Sequence, residues 1–295
     1  MPLLPADARR ALVVFSAGGR EFRVGDVLSI LPTDAAPATQ EPRTSDVETA
    51  LAAFRYQRDL ISAEECEAWL AQRGLAYGDL ADSLARRVAG GATVDVDSAE
   101  IDALLSEAFD TQARELAAHA AVRCELGLGC LAPLPQAWPS WLTAASAYLE
   151  ANASSGARER MLSQHAAALT RFAFTLVEFD SPAAAREARM CAEHDGVSLA
   201  QLAAVHGFPI HPYDALAETL APAMASALQH ALPGQICLTA LTGECTGLMQ
   251  LQARRAPSLD EAQVAARIDA LLRARTLDAL VSRHVRWTWP LHPTG

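Results

Sequence analysis

The chain has 295 residues, of which 51% are apolar and 20% are charged, a composition typical of a globular protein that is long enough for two domains. Its formal net charge is −11, and arginine supplies all 24 basic residues. This acidic balance excludes a broad electrostatic surface for nucleic acid or for an anionic membrane.

The N-terminal segment predicts a β-hairpin at residues 12–24. Gly18 and Gly19 separate two short β-rich runs there, and a two-residue turn favours glycine at both centres because both can adopt positive φ. Asp26 then predicts the N-cap of a short helix over residues 27–31.

The same segment lacks the pattern of a secretory signal, since its apolar run at 11–15 is too short. No stretch of about 18 apolar residues occurs, so we expect no membrane-spanning helix and a cytoplasmic location. The cysteines form no Cys-x-x-Cys pair, and no set of His or Cys has the spacing of a metal site. We therefore expect neither a metal nor another cofactor.

Helices dominate the next part of the chain. Residues 32–45 contain three prolines and predict a loop. Apolar periodicity and capping residues predict amphipathic helices over 46–60, after Ser62, within 76–91 and, as one long helix, over 97–127. The proline-containing segment 131–142 predicts a connector, and helices resume near 143–150 and 157–169.

From residue 171 the apolar pattern changes to the alternation of a β-strand. A strand is predicted at 171–179, followed by helices that begin near Pro182 and Ser198. After a loop at 206–214 come a short helix within 217–235 and strands at 236–241 and 246–255. The predicted order of this region is β-α-α-α-β-β. A long helix from Ser258 and a strand at 285–290 complete the chain.

This layout resembles the parvulin-type peptidyl-prolyl isomerases and, more closely, their two-part relatives, the SurA- and PrsA-like chaperones. The resemblance rests on three segments: "FRYQRDLISAEECEAWLAQRGLAYGDLADSLARRV" (54–88), "RFAFTLVEFDSPAAAREARMCAEHDGVSLAQLAAVHG" (171–207) and "LAPAMASALQHALPGQICLTALTGECTGLMQLQARRAPSLD" (220–260). The ending, 256–287, is similar to that of PpiC-like putative peptide maturation proteins, which accompany biosynthetic clusters for ribosomally made, modified peptides.

The resemblance implies an α+β fold in three parts. Residues 1–168 would form a helical, SurA-like N-terminal domain, and residues 169–256 would form a small parvulin-like domain. The closing helix and strand, 257–295, would pack back on the N-terminal hairpin. A short apolar strand is not stable alone, and the hairpin offers it an open edge.

The resemblance also locates the position of an isomerase site. Parvulins place two histidines and a Cys or Asp near an apolar proline pocket. The two histidine positions fall on Phe174 and Gly247, and Asp214 matches the acidic position only loosely. The pocket positions fall on Leu220 and Met224, which we expect on one face of a helix.

Phe174 and Leu248 would line the same hollow as Leu220 and Met224. An apolar groove without the polar cluster can hold a peptide but lacks the groups that would favour a twisted amide. The sequence therefore predicts a non-catalytic, chaperone-like protein that binds a precursor or unfolded peptide. A peptide-modifying enzyme would be its second partner, and the negative charge favours partners with basic segments.

Several alternatives stay open at this point. Phe174, Leu220 and Met224 have the spacing of ordinary core residues. His206 and His211 suit a solvated loop better than a metal pair, because no third ligand is visible. The protein could also be an active prolyl isomerase with an altered site, or a structural subunit of a peptide-modifying enzyme.

Overall fold

The computed structural model describes residues 4–31, 44–89, 96–129, 137–241 and 246–289, which divide into two compact units. The first unit comprises residues 1–152 and 274–295, and the second comprises residues 153–273. The resemblance implied boundaries after residues 168 and 256 instead. The predicted loop at 32–45 and the turn around Gly243 lie largely outside the described residues.

The first unit contains a three-stranded sheet and mainly helical structure. Its elements are α1 (Ala6–Arg10), β1 (Val13–Ala17), β2 (Arg20–Arg23), α2 (Val24–Leu28), α3 (Thr44–Gln57), α4 (Ala63–Gln72), α5 (Tyr77–Val88), α6 (Val96–Leu104), α7 (Glu107–Glu125), α8 (Trp138–Asn152), the end of α13 (Ala262–His284) and β7 (Val285–Trp287).

The predicted hairpin is confirmed. β1 and β2 pair antiparallel, and Gly18 and Gly19 both have positive φ, at 57° and 77°. β7 pairs antiparallel with the other edge of β1, from Phe15 opposite Trp287 to Ala17 opposite Val285. β1 is therefore the central strand of this sheet, between β2 and β7.

Three local predictions in this unit were wrong. The short helix begins at Val24, and Asp26 is its third residue, whose carboxylate accepts a hydrogen bond from the Arg23 N–H at 2.8 Å. The helix predicted over 97–127 is two helices, because the Ser106 side chain accepts from the Phe109 N–H at 3.2 Å and caps a new one. The helix expected from residue 143 begins at Trp138.

The second unit is a four-stranded antiparallel sheet with helices on both faces. Its elements are α9 (Ser155–His165), β3 (Arg171–Phe179), α10 (Pro182–Asp195), α11 (Leu199–His206), β4 (Ile210–Leu216), a 3-10 turn (Ala217–Thr219), α12 (Pro222–His230), β5 (Ile236–Ala240), β6 (Thr246–Arg255) and the first part of α13. The strand order is β4-β3-β6-β5. The α+β fold class is confirmed.

One strand is missing from the predicted order. Residues 206–214 were expected to be a loop, yet β4 begins at Ile210 and pairs with β3 along its whole length. Pro212 lies in the middle of β4. Proline cannot donate to a ladder, and edge strands such as β4 are the positions in a sheet that tolerate it.

α9 and the start of α13 belong to the second unit because they share an apolar cluster with it. Met161 and Leu169 pack there with Leu216, Val264 and Ile268. Among the described residues, no helix has the length and apolarity needed to cross a bilayer.

Candidate peptide-binding surface

The sheet of the second unit buries a separate apolar cluster on each face. The face covered by α12 carries Phe172, Phe174, Leu176, Ala217, Met224, Leu228, Ala231, Met249 and Leu251. The face covered by α10 and α11 carries Val177, Phe179, Ala185, Ala192, Leu199, Leu202, Ala203, Ile236 and Leu248. Below we name these the α12 face and the α10 face.

Phe174 lies at the centre of the α12 face. It is fully buried, and it pairs across the strands with Tyr213 on β4. The two rings are stacked, with centroids 5.0 Å apart and planes at 8°. Tyr213 is 40% exposed, so it covers Phe174 and presents an aromatic ring to solvent. A ligand would meet Tyr213 before it met Phe174.

Leu220 and Met224 do contact the same cluster, but they do not share a helix face as predicted. Met224 lies on α12, whereas Leu220 precedes the helix with extended dihedrals of −92° and 152°. Pro222 is the first residue of α12, and a proline disfavours the helical conformation in the residue before it. The helix therefore could not extend back to Leu220.

Leu248 lies on the opposite side of the sheet from the other three predicted residues. It is fully buried in the cluster of the α10 face, while its neighbour Met249 is in that of the α12 face. Successive side chains of a strand alternate between the faces, so two neighbouring residues cannot line one hollow. The expectation that Phe174 and Leu248 line the same cavity was wrong.

Gly247, the second position at which the resemblance expects a histidine, has no room for one. A Cβ atom added there would lie 2.7 Å from Cδ1 of Leu176 and 3.0 Å from Cγ2 of Thr239. Both distances are shorter than ordinary carbon contacts. The apolar side chains of the α12 face thus fill the space that an imidazole would need.

The polar residues near this surface are engaged in ion pairs or are solvated. Asp214 accepts from Arg255 and lies 3.5 Å from Arg171, and its hydrogen bond to Arg255 holds the pKa of that carboxyl below its usual value. His211 is exposed on β4 opposite Leu176, on the side of the α12 face. The side chain of His206 is outside the described part of the chain.

Four exposed apolar side chains of the second unit lie on or shortly before β4, on both faces of the sheet. Val205 is 78% exposed, Phe208 37%, Ile210 38% and Tyr213 40%. Phe208 packs on Phe179, with ring centroids 4.9 Å apart. The sequence did not predict this surface, because Pro212 favoured a loop over a strand at 206–214. A proline within a β-rich run is nevertheless a signal of an edge strand.

The chemistry that this surface offers is apolar contact. The four strands carry one histidine, His211, and no cysteine except Cys237 of β5. Burial raises the pKa of the Cys237 thiol. No group of three or more potential metal ligands occurs within the described residues.

Comparisons with known proteins give structural neighbours only. No protein-family model and no curated protein matches the chain. The foldase protein PrsA from Streptococcus pneumoniae is similar over 80% of this chain and 71% of that one, with 12% identity and a TM-score of 0.34. The foldase protein PrsA from Lactococcus lactis is similar over 94% of this chain and 94% of that one, with 9% identity and a TM-score of 0.33.

A third similar structure comes from work on PEB4 and Cj1289, two SurA-like chaperones of Campylobacter jejuni. It covers 93% of this chain and 98% of that one, with 8% identity and a TM-score of 0.22. The structural neighbours of the chain are therefore foldase chaperones of the PrsA and SurA kind.

Proposed function

We propose that the protein is a non-catalytic, chaperone-like peptide-binding protein. The observation that carries the proposal is that exposed apolar side chains flank the edge strand β4 on both faces of the sheet. Ile210 lies on the α10 side, shortly after Val205 and Phe208 in the chain, and Tyr213 lies on the α12 side. Apolar side chains scattered singly are normal on a protein surface, whereas a concentration of them marks an interaction site. We name Val205, Phe208, Ile210 and Tyr213 the β4 surface, which has these two sides.

The strength of binding follows from how much of these side chains a ligand can cover. Full burial of one large apolar side chain contributes about 1.5–3 kcal/mol, and all four are already partly covered by the protein. Ordering an extended peptide offsets a large part of the gain. We therefore expect weak and reversible binding, which suits a carrier that must release its peptide.

The absence of catalysis follows from the residues at the two histidine positions. Rotation about an Xaa-Pro bond has a barrier of roughly 18–20 kcal/mol, and a catalyst must bind the twisted amide better than the planar forms. Phe174 is an apolar core residue under Tyr213, and Gly247 is enclosed by Leu176 and Thr239. Neither position offers a hydrogen-bonding side chain to an amide.

The resemblance described above suggests the biological setting. We propose that the peptide is the precursor of a ribosomally made, modified peptide, that a peptide-modifying enzyme is the second partner, and that the protein acts in the cytoplasm. A purely structural subunit would co-purify with that enzyme when no precursor peptide is present. A peptide carrier would require the precursor for the same co-purification.

Fluorescence anisotropy with a labelled unfolded peptide tests peptide binding directly. We expect the double variant Ile210→Ser/Tyr213→Ser to bind at least tenfold more weakly than the unaltered protein. Tyr56→Ser/Ile61→Ser is the matched control, since those two side chains are 89% and 80% exposed in the first unit. Equal loss in both variants, or binding in neither the variants nor the parent, would contradict the proposal.

A second candidate function has one observation in its favour. His211 and Tyr213 are both exposed on the side of β4 that continues the α12 face, so an altered isomerase site could use them. In that case His211→Ala would abolish an isomerase activity that the parent protein shows. Under the first proposal the parent has no such activity to lose.

A further inference from the structure

The other edge of the same sheet differs from β4 in a way that favours strand addition. β5 (Ile-Cys-Leu-Thr-Ala) contains no proline and no charged residue, and it pairs only with β6 within the described part of the chain. An edge strand presents unpaired N–H and C=O groups that an extended peptide can bind. β4, by contrast, contains Pro212 and the charged Asp214, which are features that block an edge.

An open groove of about 190 Å³ lies between the start of α10 and the ends of β5 and β6. It is lined by Pro182, Arg186, Leu238, Thr239, Ala240 and Thr246. Leu238 and Ile236 contribute to the cluster of the α10 face, so by strand alternation Ala240 also points to that side. Every second side chain of a strand added to β5 would point to the same side of the sheet as this groove.

Arg186 gives this groove a positive charge. It is exposed, and it forms no ion pair with any residue in the described ranges. One turn further along α10, Arg189 lies 3.5 Å from Glu193. Arg158, Arg171 and Arg267 of the same unit are also paired with carboxylates. In a chain with a net charge of −11, an arginine with a free guanidinium beside a groove is a selective feature.

We propose that an extended acidic peptide segment adds to the free edge of β5 and that Arg186 binds a carboxylate of that segment. The proposal rests on the proposed function, because it names the class of peptide and a second place where the peptide binds. The carboxylate belongs to Asp or Glu, and an apolar residue two positions away covers Leu238. A guanidinium binds a carboxylate through two parallel hydrogen bonds, which gives both strength and orientation.

A preference for acidic peptides is opposite to what the net charge of the whole chain favours. The net negative charge favours basic segments at long range, but salt screens that attraction beyond about 8–10 Å. Among the described residues that line the groove, Arg186 is the only charged one. The local contact therefore selects a carboxylate, and the distant charges affect mainly the rate of encounter.

The test uses the full chain and two labelled nine-residue peptides that alternate apolar and polar residues and differ only in a central Glu or Gln. We expect the Glu peptide to bind about five- to tenfold more tightly than the Gln peptide. Arg186→Gln should remove this difference without changing the affinity for the Gln peptide. Arg160→Gln is the control, because Arg160 is also exposed in the second unit and its substitution should leave the difference intact.

Backbone pairing is tested without altering the protein. A Glu peptide with N-methyl groups on alternate amides, on the edge that faces β5, should bind at least tenfold more weakly, because those amides can no longer donate. Methylation on the opposite edge should have no effect. Equal affinities for the methylated and unmethylated peptides would overturn strand addition.

The two proposals fail in different ways. If both peptides bind with equal affinity, and if Arg186→Gln has no effect, the inference about β5 is wrong while peptide binding stands. If neither peptide binds the parent protein, both are wrong. If the Arg186→Gln variant still prefers the Glu peptide, another residue binds the carboxylate and the role of Arg186 is overturned.

Discussion

The two units of the molecule differ in where they place charge. Every buried charged side chain within the described residues belongs to the first unit, where two arginines lie against aromatic rings, whereas the charged side chains described in the second unit all keep contact with solvent. Buried charge is costly and is tolerated only when it is well paired. The difference indicates that the ion pairs of the first unit contribute more to stability than those of the second.

The buried charge of the first unit centres on Arg73. Its Cζ atom lies 3.6 Å from the ring centroid of Trp69 and 4.9 Å from that of Trp289, and its Nη2 donates to Asp110 at 3.0 Å. Burial lowers the pKa of Arg73 to about 10, although Asp110 opposes the shift, so the guanidinium is charged at neutral pH. Arg58 is buried nearby over the Phe54 ring.

The charges of the second unit lie at its surface. Arg255 of β6 and Asp214 of β4 form an ion pair across β3, and their side chains are 51% and 54% exposed. Exposed ion pairs contribute at most about 1 kcal/mol each. The stability of this unit therefore depends mainly on its apolar clusters.

The largest effect is expected in the buried ion pair. Asp110→Ala leaves Arg73 charged and without its carboxylate in the core, which should lower the free energy of unfolding by about 3–5 kcal/mol. Chemical denaturation measures this. Glu67→Ala, an exposed position on α4, is the control and should change stability by less than about 0.5 kcal/mol. A loss below about 1 kcal/mol for Asp110→Ala would show that the pair is solvated.

Phe174 and Tyr213 form a stacked pair in which Phe174 belongs to the core and Tyr213 belongs to the proposed binding surface. Phe174→Ala should cost about 3–5 kcal/mol of stability, because it leaves a cavity in a fully buried cluster. Tyr213→Ala removes a half-exposed ring and should cost about 1 kcal/mol. Denaturation and peptide anisotropy are measured on both. If Phe174→Ala kept its stability and lost peptide affinity, Phe174 would be a binding residue after all.

Gly247→His restores an imidazole at the second family position and tests whether the site can be rebuilt. We expect a loss of about 1–3 kcal/mol, because Leu176 and Thr239 must move to admit the side chain. No isomerase activity should appear. Gly78→Ala is the control for adding a side chain, since a Cβ there meets no atom within 4 Å. Unchanged stability in Gly247→His would mean that the α12 face has a cavity.

The smallest effect concerns Asp214. Arg255 and Arg171 lower its pKa in the folded state, so the carboxylate stabilises the fold above its ordinary value of 3.8, and the contribution is lost as the pH falls through the lowered pKa. Asp214→Asn should therefore be slightly less stable than the parent at pH 7 and equal to it in strong acid. Glu187→Gln, at an exposed site on α10, should show no such pH dependence. A constant difference at every pH would contradict this assignment.

Sequence reasoning succeeded where local signals determine the structure. β3 and α10 match their predicted spans, since alternation defines the strand and Ser181, Pro182 and Gly196 define the ends of the helix. α4 begins at the predicted cap, where Ser62 accepts a hydrogen bond from the Glu65 N–H. These signals act within a few residues and need no tertiary information.

Sequence reasoning failed where tertiary pairing decides. β4 forms because β3 offers it a partner, which its own residues around Pro212 do not reveal. The face of Leu248 depends on the register of β6 between β3 and β5, and a one-residue error reverses it. Of the four predicted site residues, Phe174, Leu220 and Met224 do meet in one cluster, and Leu248 does not.

The central claim is that this chain binds peptides without isomerising prolines. A labelled Xaa-Pro peptide, shown by anisotropy to be bound, is followed by exchange NMR at substoichiometric and saturating protein. The account predicts that the cis/trans exchange rate of the peptide stays within twofold of its rate in buffer. Acceleration of tenfold or more by substoichiometric protein, removed by His211→Ala, would contradict it.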